Sequence, residues 1–157
     1  TRRWPPERFA AALQALLSRD GGSVVILAEP AEKAQSQALG EMIQSLGPVP
    51  LLDLTGRTGL AALGGVIAEL DLLLTNDSGP AHIAYALNTP TVTIFGGQDP
   101  ARYAAPAPGP FVALYHEIEC RPCDYRECPI GYVCLNQVSV EQAAAAGAQL
   151  LDLHPKV

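Results

Sequence analysis

The stretch Leu72-Leu73-Leu74-Thr75-Asn76-Asp77-Ser78-Gly79-Pro80-Ala81-His82-Ile83-Ala84-Tyr85-Ala86-Leu87 decides the fold. Its first three residues read as a buried strand, and Pro80 opens a helix that runs to Leu87. A strand that turns through Asp-Ser-Gly-Pro into a helix leaves backbone N–H groups without intrahelical acceptors, at the positive end of the helix dipole. Such a mouth is a ready site for phosphate. Pro80 has no N–H, so the donors expected are the amides of Gly79, Ala81 and His82. Asp77 or Ser78 is placed to cap the helix. Asp77 has the wrong charge to touch a phosphate and suits sugar hydroxyls or the turn itself. The His82 ring, neutral or charged, can donate to a phosphate or a hydroxyl. The same residues also read as a well-capped helix with no ligand.

On either side the same alternation repeats. A helix opens at Pro5-Pro6-Glu7 with Phe9, Leu13 and Leu16-Leu17 on its inner face, and Asp20-Gly21-Gly22 stops it. Strand Ser23 to Leu27, helix Ala31 to Leu46 (inner face Ala38-Leu39, Met42-Ile43, Leu46), strand Pro50 to Thr55 and helix Leu60 to Leu70 follow. Thr91 to Phe95 is a further strand closed by Gly96-Gly97. Phe111 to Tyr115 is a fifth, 99–110 reads as loop, and Val140 to Leu153 is a last helix with Ser139 as cap and Glu141 in its first turn. Apolar strands separated by helices predict an α/β, Rossmann-like three-layer domain with one parallel sheet. Ligands in such a domain bind outside the carboxyl ends of the strands. Four loops meet that edge: 28–30, 56–58, 75–82 and 96–99.

The chain has 157 residues, enough for a single core, with net charge −6 and a pI near 4.9. That balance argues against nucleic acid and anionic membranes as partners. The most apolar window, 59–74, carries Glu69 and Asp71 and is no transmembrane span. The N-terminus lacks the apolar core of a signal peptide and has no initiator Met, so the chain reads as a piece of a longer protein. Gly56-Arg57-Thr58-Gly59 joins a strand to a helix, with Thr58 able to cap, but matches neither the dinucleotide fingerprint nor a P-loop. Arg2 and Arg3 precede Trp4, and arginine suits bidentate phosphate contact. No nucleophile–base or carboxylate pair stands beside the helix mouth. The chain looks like a binding half without its chemistry.

All four cysteines, Cys120, Cys123, Cys128 and Cys134, fall in one window spaced C-x2-C-x4-C-x5-C. Three chemistries fit: a structural zinc on four thiolates, two disulfides, or four thiols packed without a metal.

Taken in order, Arg2 to Phe9, Leu54 to Leu60, Asn76 to Pro90, Phe95-Gly96 and the cysteine loop running into Val138-Ser139-Val140-Glu141 resemble the C-terminal half of family 9 glycosyltransferases, the ADP-heptose:lipopolysaccharide heptosyltransferases. The resemblance covers nearly the whole chain, and Asp-Ser-Gly-Pro-x-His is its most specific part. It implies that residues 1–157 form the C-terminal nucleotide-sugar-binding domain of a GT-B enzyme, including a cysteine-rich loop at 117–137. The N-terminal acceptor domain, with the general base, would be absent. It further implies that the backbone around Ser78, Gly79 and His82 holds the donor pyrophosphate, with Asp77 near the sugar and Asn76 and Ala81 also among the donor-binding residues. Thr58 would border the adenine, and Glu32 or Glu29 would reach the ribose. Arg2 stands where the family has a lysine, which keeps the charge and changes the phosphate geometry. No cofactor is implied for the chemical step. The implied partners are an ADP-sugar donor and a lipopolysaccharide inner-core acceptor, and the implied location is cytoplasmic, at the inner face of the bacterial inner membrane. Two rival readings are a non-catalytic, zinc-bearing interaction module and a GT-B enzyme using a different nucleotide sugar.

Overall fold

A computed structural model describes residues 3–105, 108–125 and 127–155. Helix α1 (Pro6–Asp20) has proline in its first turn and buries Ala12 and Leu16 on one face, toward the C-terminal helix, and Ala10 on another, against Val24, Ile26 and Ile43. It ends at Gly21, whose φ of 71° lets its N–H return to the Leu17 carbonyl at 2.8 Å. Strand β1 (Val24–Ile26) leads through a 3₁₀ turn (Pro30–Glu32) into α2 (Lys33–Ser45), and β2 (Leu51–Asp53) pairs in parallel with β1. Helix α3 (Leu60–Glu69), β3 (Leu73–Asn76), α4 (Gly79–Leu87) and β4 (Thr91–Ile94) follow. Asn88 ends α4 in the left-handed conformation, at φ 58°. A single-turn α5 (Pro100–Tyr103), strand β5 (Phe111–Leu114), a single-turn α6 (Val133–Asn136) and α7 (Val140–Leu153) complete the chain.

The parallel α/β architecture is as expected, but the single sheet is not. Strands β1–β2 form one parallel sheet, and β3–β4–β5 form another. β1 has only three residues, and no ladder joins it to β3. The junction is made by side chains instead: Leu27, just past β1, packs on Ile67, Leu73 and Ala84. Two other differences are local. Leu46, expected on the inner face of α2, is 42% exposed, because that helix ends at Ser45. The 99–110 stretch and the cysteine loop each contain one helical turn, the first capped by Asp99 accepting from the Ala101 N–H at 2.9 Å. The capping expected at Ser139 is present, with Gln142 completing a capping box.

The middle strand β4 is buried along its whole length, including Thr91 and Thr93. Both hydroxyls are satisfied, Thr91 by the Thr89 carbonyl at 2.7 Å and Thr93 by the Tyr85 hydroxyl at 2.6 Å. Helix α1 packs on α2 and α7, α3 packs on α4, and α7 covers β4 and β5. Trp4 closes the core between them. It is 1% exposed, and its indole N–H donates to the Val138 carbonyl at 3.0 Å. Arg8 reinforces the same point, donating to the carbonyls of Asn136 and Val138. A buried tryptophan of this kind contributes roughly 3–5 kcal/mol relative to alanine.

Candidate ligand-binding site

The mouth of α4 lies at the carboxyl edge of β3. The Asp77 N–H donates to the Ile94 carbonyl at 3.1 Å and carries the β3–β4 pairing one residue further, so Asp77 stands level with the end of β4. Ser78 is the N-cap residue, with φ −162°, but its hydroxyl does not cap the helix. It turns back to donate to the Asn76 carbonyl at 3.1 Å and lies 3.4 Å from the Thr75 hydroxyl. Gly79, the first helical residue, is exposed, and a Cβ built on it would meet nothing within 4 Å. Among the described residues, nothing covers Gly79 at this mouth.

One of the expected amide donors needs correction. The Ala81 N–H donates to the Ser78 carbonyl at 3.0 Å, and Ala81 is fully buried, so it faces inward. The His82 side chain is half exposed, with Nε2 3.9 Å from Asp77 Oδ1. Among the described residues, the N–H groups of Ser78, Gly79 and His82 find no acceptor, and they are the donors that remain. The Asp77 carboxylate is mostly buried beside the His82 ring, which stacks edge-on against Tyr85 at 5.7 Å.

Asn76 ties the site to the N-terminal segment. Its Oδ1 accepts the Trp4 N–H at 2.8 Å and fixes the N-terminal segment to the strand edge. Arg3, next in line, forms an ion pair with Glu32 Oε1, while Glu32 Oε2 accepts the Glu29 N–H at 3.0 Å. Both oxygens of the candidate ribose residue are thus engaged. Thr58 does not cap α3: the N-cap residue is Gly59, with no side-chain bond. Its loop is instead pinned by Gly56, at φ 68°, whose N–H donates to the Ala28 carbonyl at 2.9 Å and whose Cβ position lies 3.2 Å from Pro30 Cα. Residues 3 and 4 link the two groups, Trp4 reaching the α4 mouth and Arg3 the Glu29–Glu32 turn. Arg2 lies outside the described residues.

Tyr85 went unremarked in the sequence as a candidate. Burial pushes its phenol above the ordinary range, the Thr93 hydrogen bond pulls it back, and the Asp77 carboxylate adds to the rise. The only signal available was its spacing, one helical turn beyond His82.

The cysteine loop packs beside the same strand edge. Cys120, Cys123, Cys128 and Cys134 all line one cavity of about 30 Å³, with Gly97, Ile118 and Val133 among its other walls. No disulfide joins them, so the disulfide alternative is not realised. Nor, among the described residues, are three Cys, His, Asp or Glu side chains already drawn into a coordination sphere. The Tyr132 N–H points at Cys128 Sγ, 3.1 Å away. Burial raises the Cys134 thiol, the Leu135 amide opposes that, Cys128 adds to the rise, Arg121 opposes it and Cys120 adds again. A Cβ on Gly97 would lie 2.5 Å from Cys123 Cβ, and the Cys123 N–H donates to the Gly97 carbonyl at 2.8 Å. Only glycine permits this approach. Arg121, between the first two cysteines, was also overlooked in the sequence. Its side chain is 7% exposed, donates to the Gly96 carbonyl at 2.8 Å and lies over the Tyr115 ring.

The parallel strands and their covering helices, with a helix mouth at the strand edge, define a Rossmann-like α/β domain. The family model for glycosyltransferase family 9 (heptosyltransferase) matches residues 1–133, and the chain belongs to that family. It is 31% identical to lipooligosaccharide heptosyltransferase 2 of Campylobacter jejuni serotype O:2 over 157 residues, 96% of this chain and 47% of that protein. It is 34% identical to lipopolysaccharide heptosyltransferase 3 of Escherichia coli over 96 residues, 61% of this chain and 28% of the relative. The crystal structure of the family 9 glycosyl transferase from Veillonella parvula superposes with a TM-score of 0.76 at 27% identity, covering 97% of this chain and 42% of that one. The chain thus spans less than half the length of these relatives. Among the described residues no helix is long and apolar enough to cross a membrane.

Proposed function

We propose that this chain is the donor-binding half of a heptosyltransferase that transfers heptose from ADP-heptose to the inner core of lipopolysaccharide. The observation that carries the reading is the mouth of α4, where Gly79 is exposed and, among the described residues, the amides of Ser78 and Gly79 have no acceptor, beside a mostly buried aspartate. Family membership and the names of the relatives support the sugar and the acceptor.

In this reading the donor diphosphate sits on the α4 mouth. As the bond from the sugar to the β-phosphate breaks, charge grows on the leaving ADP, and fixed amides with the helix dipole stabilise it. Removing one such donor lowers the rate by roughly two to three orders of magnitude. Asp77 accepts from sugar hydroxyls, and the half-exposed His82 ring donates to a phosphate or hydroxyl. Arg2 supplies positive charge from the N-terminal segment that Trp4 anchors. Thr58 and the Glu29–Glu32 turn border the adenosine, with Glu32 exchanging its Arg3 partner for a ribose hydroxyl. The acceptor and the base that deprotonates it belong to an N-terminal domain across the cleft. The enzyme works at the cytoplasmic face of the inner membrane, where that acceptor is built.

Calorimetric titration of the chain with ADP, UDP and GDP tests the proposal. ADP should bind most tightly of the three and transfer should be absent. A flat ADP trace at millimolar ligand overturns donor binding, and preference for UDP or GDP overturns the choice of nucleotide.

A further inference from the structure

We propose that Cys120, Cys123, Cys128 and Cys134 bind one zinc ion as a tetrathiolate, with Arg121 as its buried countercharge. Four observations carry the assignment. The first is convergence: four sulfurs from a fifteen-residue window line a single small cavity rather than scattering over the surface. An all-sulfur donor set selects thiophilic ions of the zinc class over magnesium or calcium.

The second is a charge without its complement. The Arg121 side chain is 7% exposed, and its Nη1 has no hydrogen-bond partner among the described residues. Its acidic neighbour among the described residues, Glu117, is 4.0 Å away and 84% exposed, too distant and too solvated to offset a buried guanidinium. Arginine cannot shed its proton, so the site needs a negative group close by. Four neutral thiols do not supply one. Four thiolates around a divalent cation carry a net charge of −2, and the guanidinium in the Cys120–Cys123 turn offsets half of it.

The third is the Tyr132 N–H aimed at Cys128 Sγ at 3.1 Å. A thiol is a weak acceptor, and a metal-bound thiolate a much stronger one. The fourth is the apolar lining of the cavity by Ile118 and Val133, which keeps water from competing for the metal. The sulfurs are not gathered into a finished sphere. Metal entry and closure of the loop are then a single event, as in other thiolate centres, and each of the four sulfurs releases its proton to solvent as the ion binds. The consequence reaches the α4 mouth. Gly97 is held to Cys123 and lies three residues beyond Ile94, whose carbonyl fixes Asp77. The ion would stiffen that wall.

The test uses the protein purified under reducing, chelator-free conditions. Elemental analysis should find about one zinc per chain. A mercurial that consumes the four thiols should release it. Cobalt(II) exchanged into the unmutated chain should show the strong sulfur-to-cobalt charge-transfer band of a tetrahedral tetrathiolate, a readout that needs no variant to fold. Arg121→Met should retain the cobalt spectrum but lose metal to a competing chelator roughly 10- to 100-fold more readily, as removal of an outer-shell partner typically does. Four freely titrating thiols with no metal after anaerobic zinc loading, or two disulfides in the reduced preparation, overturn the site. A variant that holds metal as tightly as the parent overturns the countercharge.

Discussion

Replacing Gly79 by alanine separates ligand binding from folding. The residue opens α4, its backbone is outside the left-handed region, and a Cβ there meets nothing within 4 Å. Alanine therefore fits without strain and removes freedom from the unfolded chain, worth about 0.4–1 kcal/mol of added stability. For a domain of this size that raises the melting temperature by roughly 1–4 °C. Ligand binding should change in the opposite sense. Cα–Cβ bonds in a helix tilt toward its N-terminus, so the new methyl leans over the mouth. A diphosphate forced back from the Gly79 amide loses a charge-assisted hydrogen bond, about 1.5–3 kcal/mol. That corresponds to roughly a 10- to 100-fold weaker Kd. Calorimetric titration with ADP and a thermal scan on the same sample measure both. Unchanged ADP affinity in a fully folded variant would refute the placement of the diphosphate at this mouth, and a lower melting temperature would refute the open space.

Gly97→Ala should do the opposite and damage the fold: its Cβ would sit 2.5 Å from Cys123 Cβ, an atom that no rotamer change can move away. Overpacking plus the strained Cys123–Gly97 hydrogen bond amounts to about 2–4 kcal/mol in urea unfolding. Tyr85→Phe probes the alkaline limb of stability. A phenol whose folded pKa is raised keeps its contribution below its unfolded value of about 10 and loses it as pH rises through the folded one. The parent should thus lose more stability above that pH than the variant, and equal slopes would contradict the burial described for Tyr85.

What could be read in advance followed local chemistry. Apolar runs located all five strands, four of them with glycine or proline at a boundary and the third between Asp71 and Asp77. Ser139 marked the start of α7, because a cap declares itself within three residues. What could not be read depended on partners far away in sequence. Strand patterns tell which residues are buried but not which neighbour pairs, so the break between β1 and β3 was invisible. The single turns at Pro100–Tyr103 and Val133–Asn136 are too short to show a helical period. At the site, the Asp-Ser-Gly-Pro turn announced the start of a helix at a strand edge, but not that Ala81 would turn its amide inward. The hydrogen bond from Trp4 to Asn76 could not be read, because the two are 72 residues apart. Arg121 passed unnoticed because an arginine in a loop is ordinarily exposed.

Trp4 and Val138 are joined by a hydrogen bond across 134 residues of chain. During translation the tryptophan has to wait for its acceptor, on the order of ten seconds at typical elongation rates. Until then the inner stripe of α1 has no α7 to lie against, and the large indole is exposed to every other apolar surface in the cell. A transcript cut short before the codon for Val138 would yield a product that keeps that surface bare, a natural target for quality-control proteases. Closure of this domain is therefore reported by the Trp4 indole meeting the Val138 carbonyl.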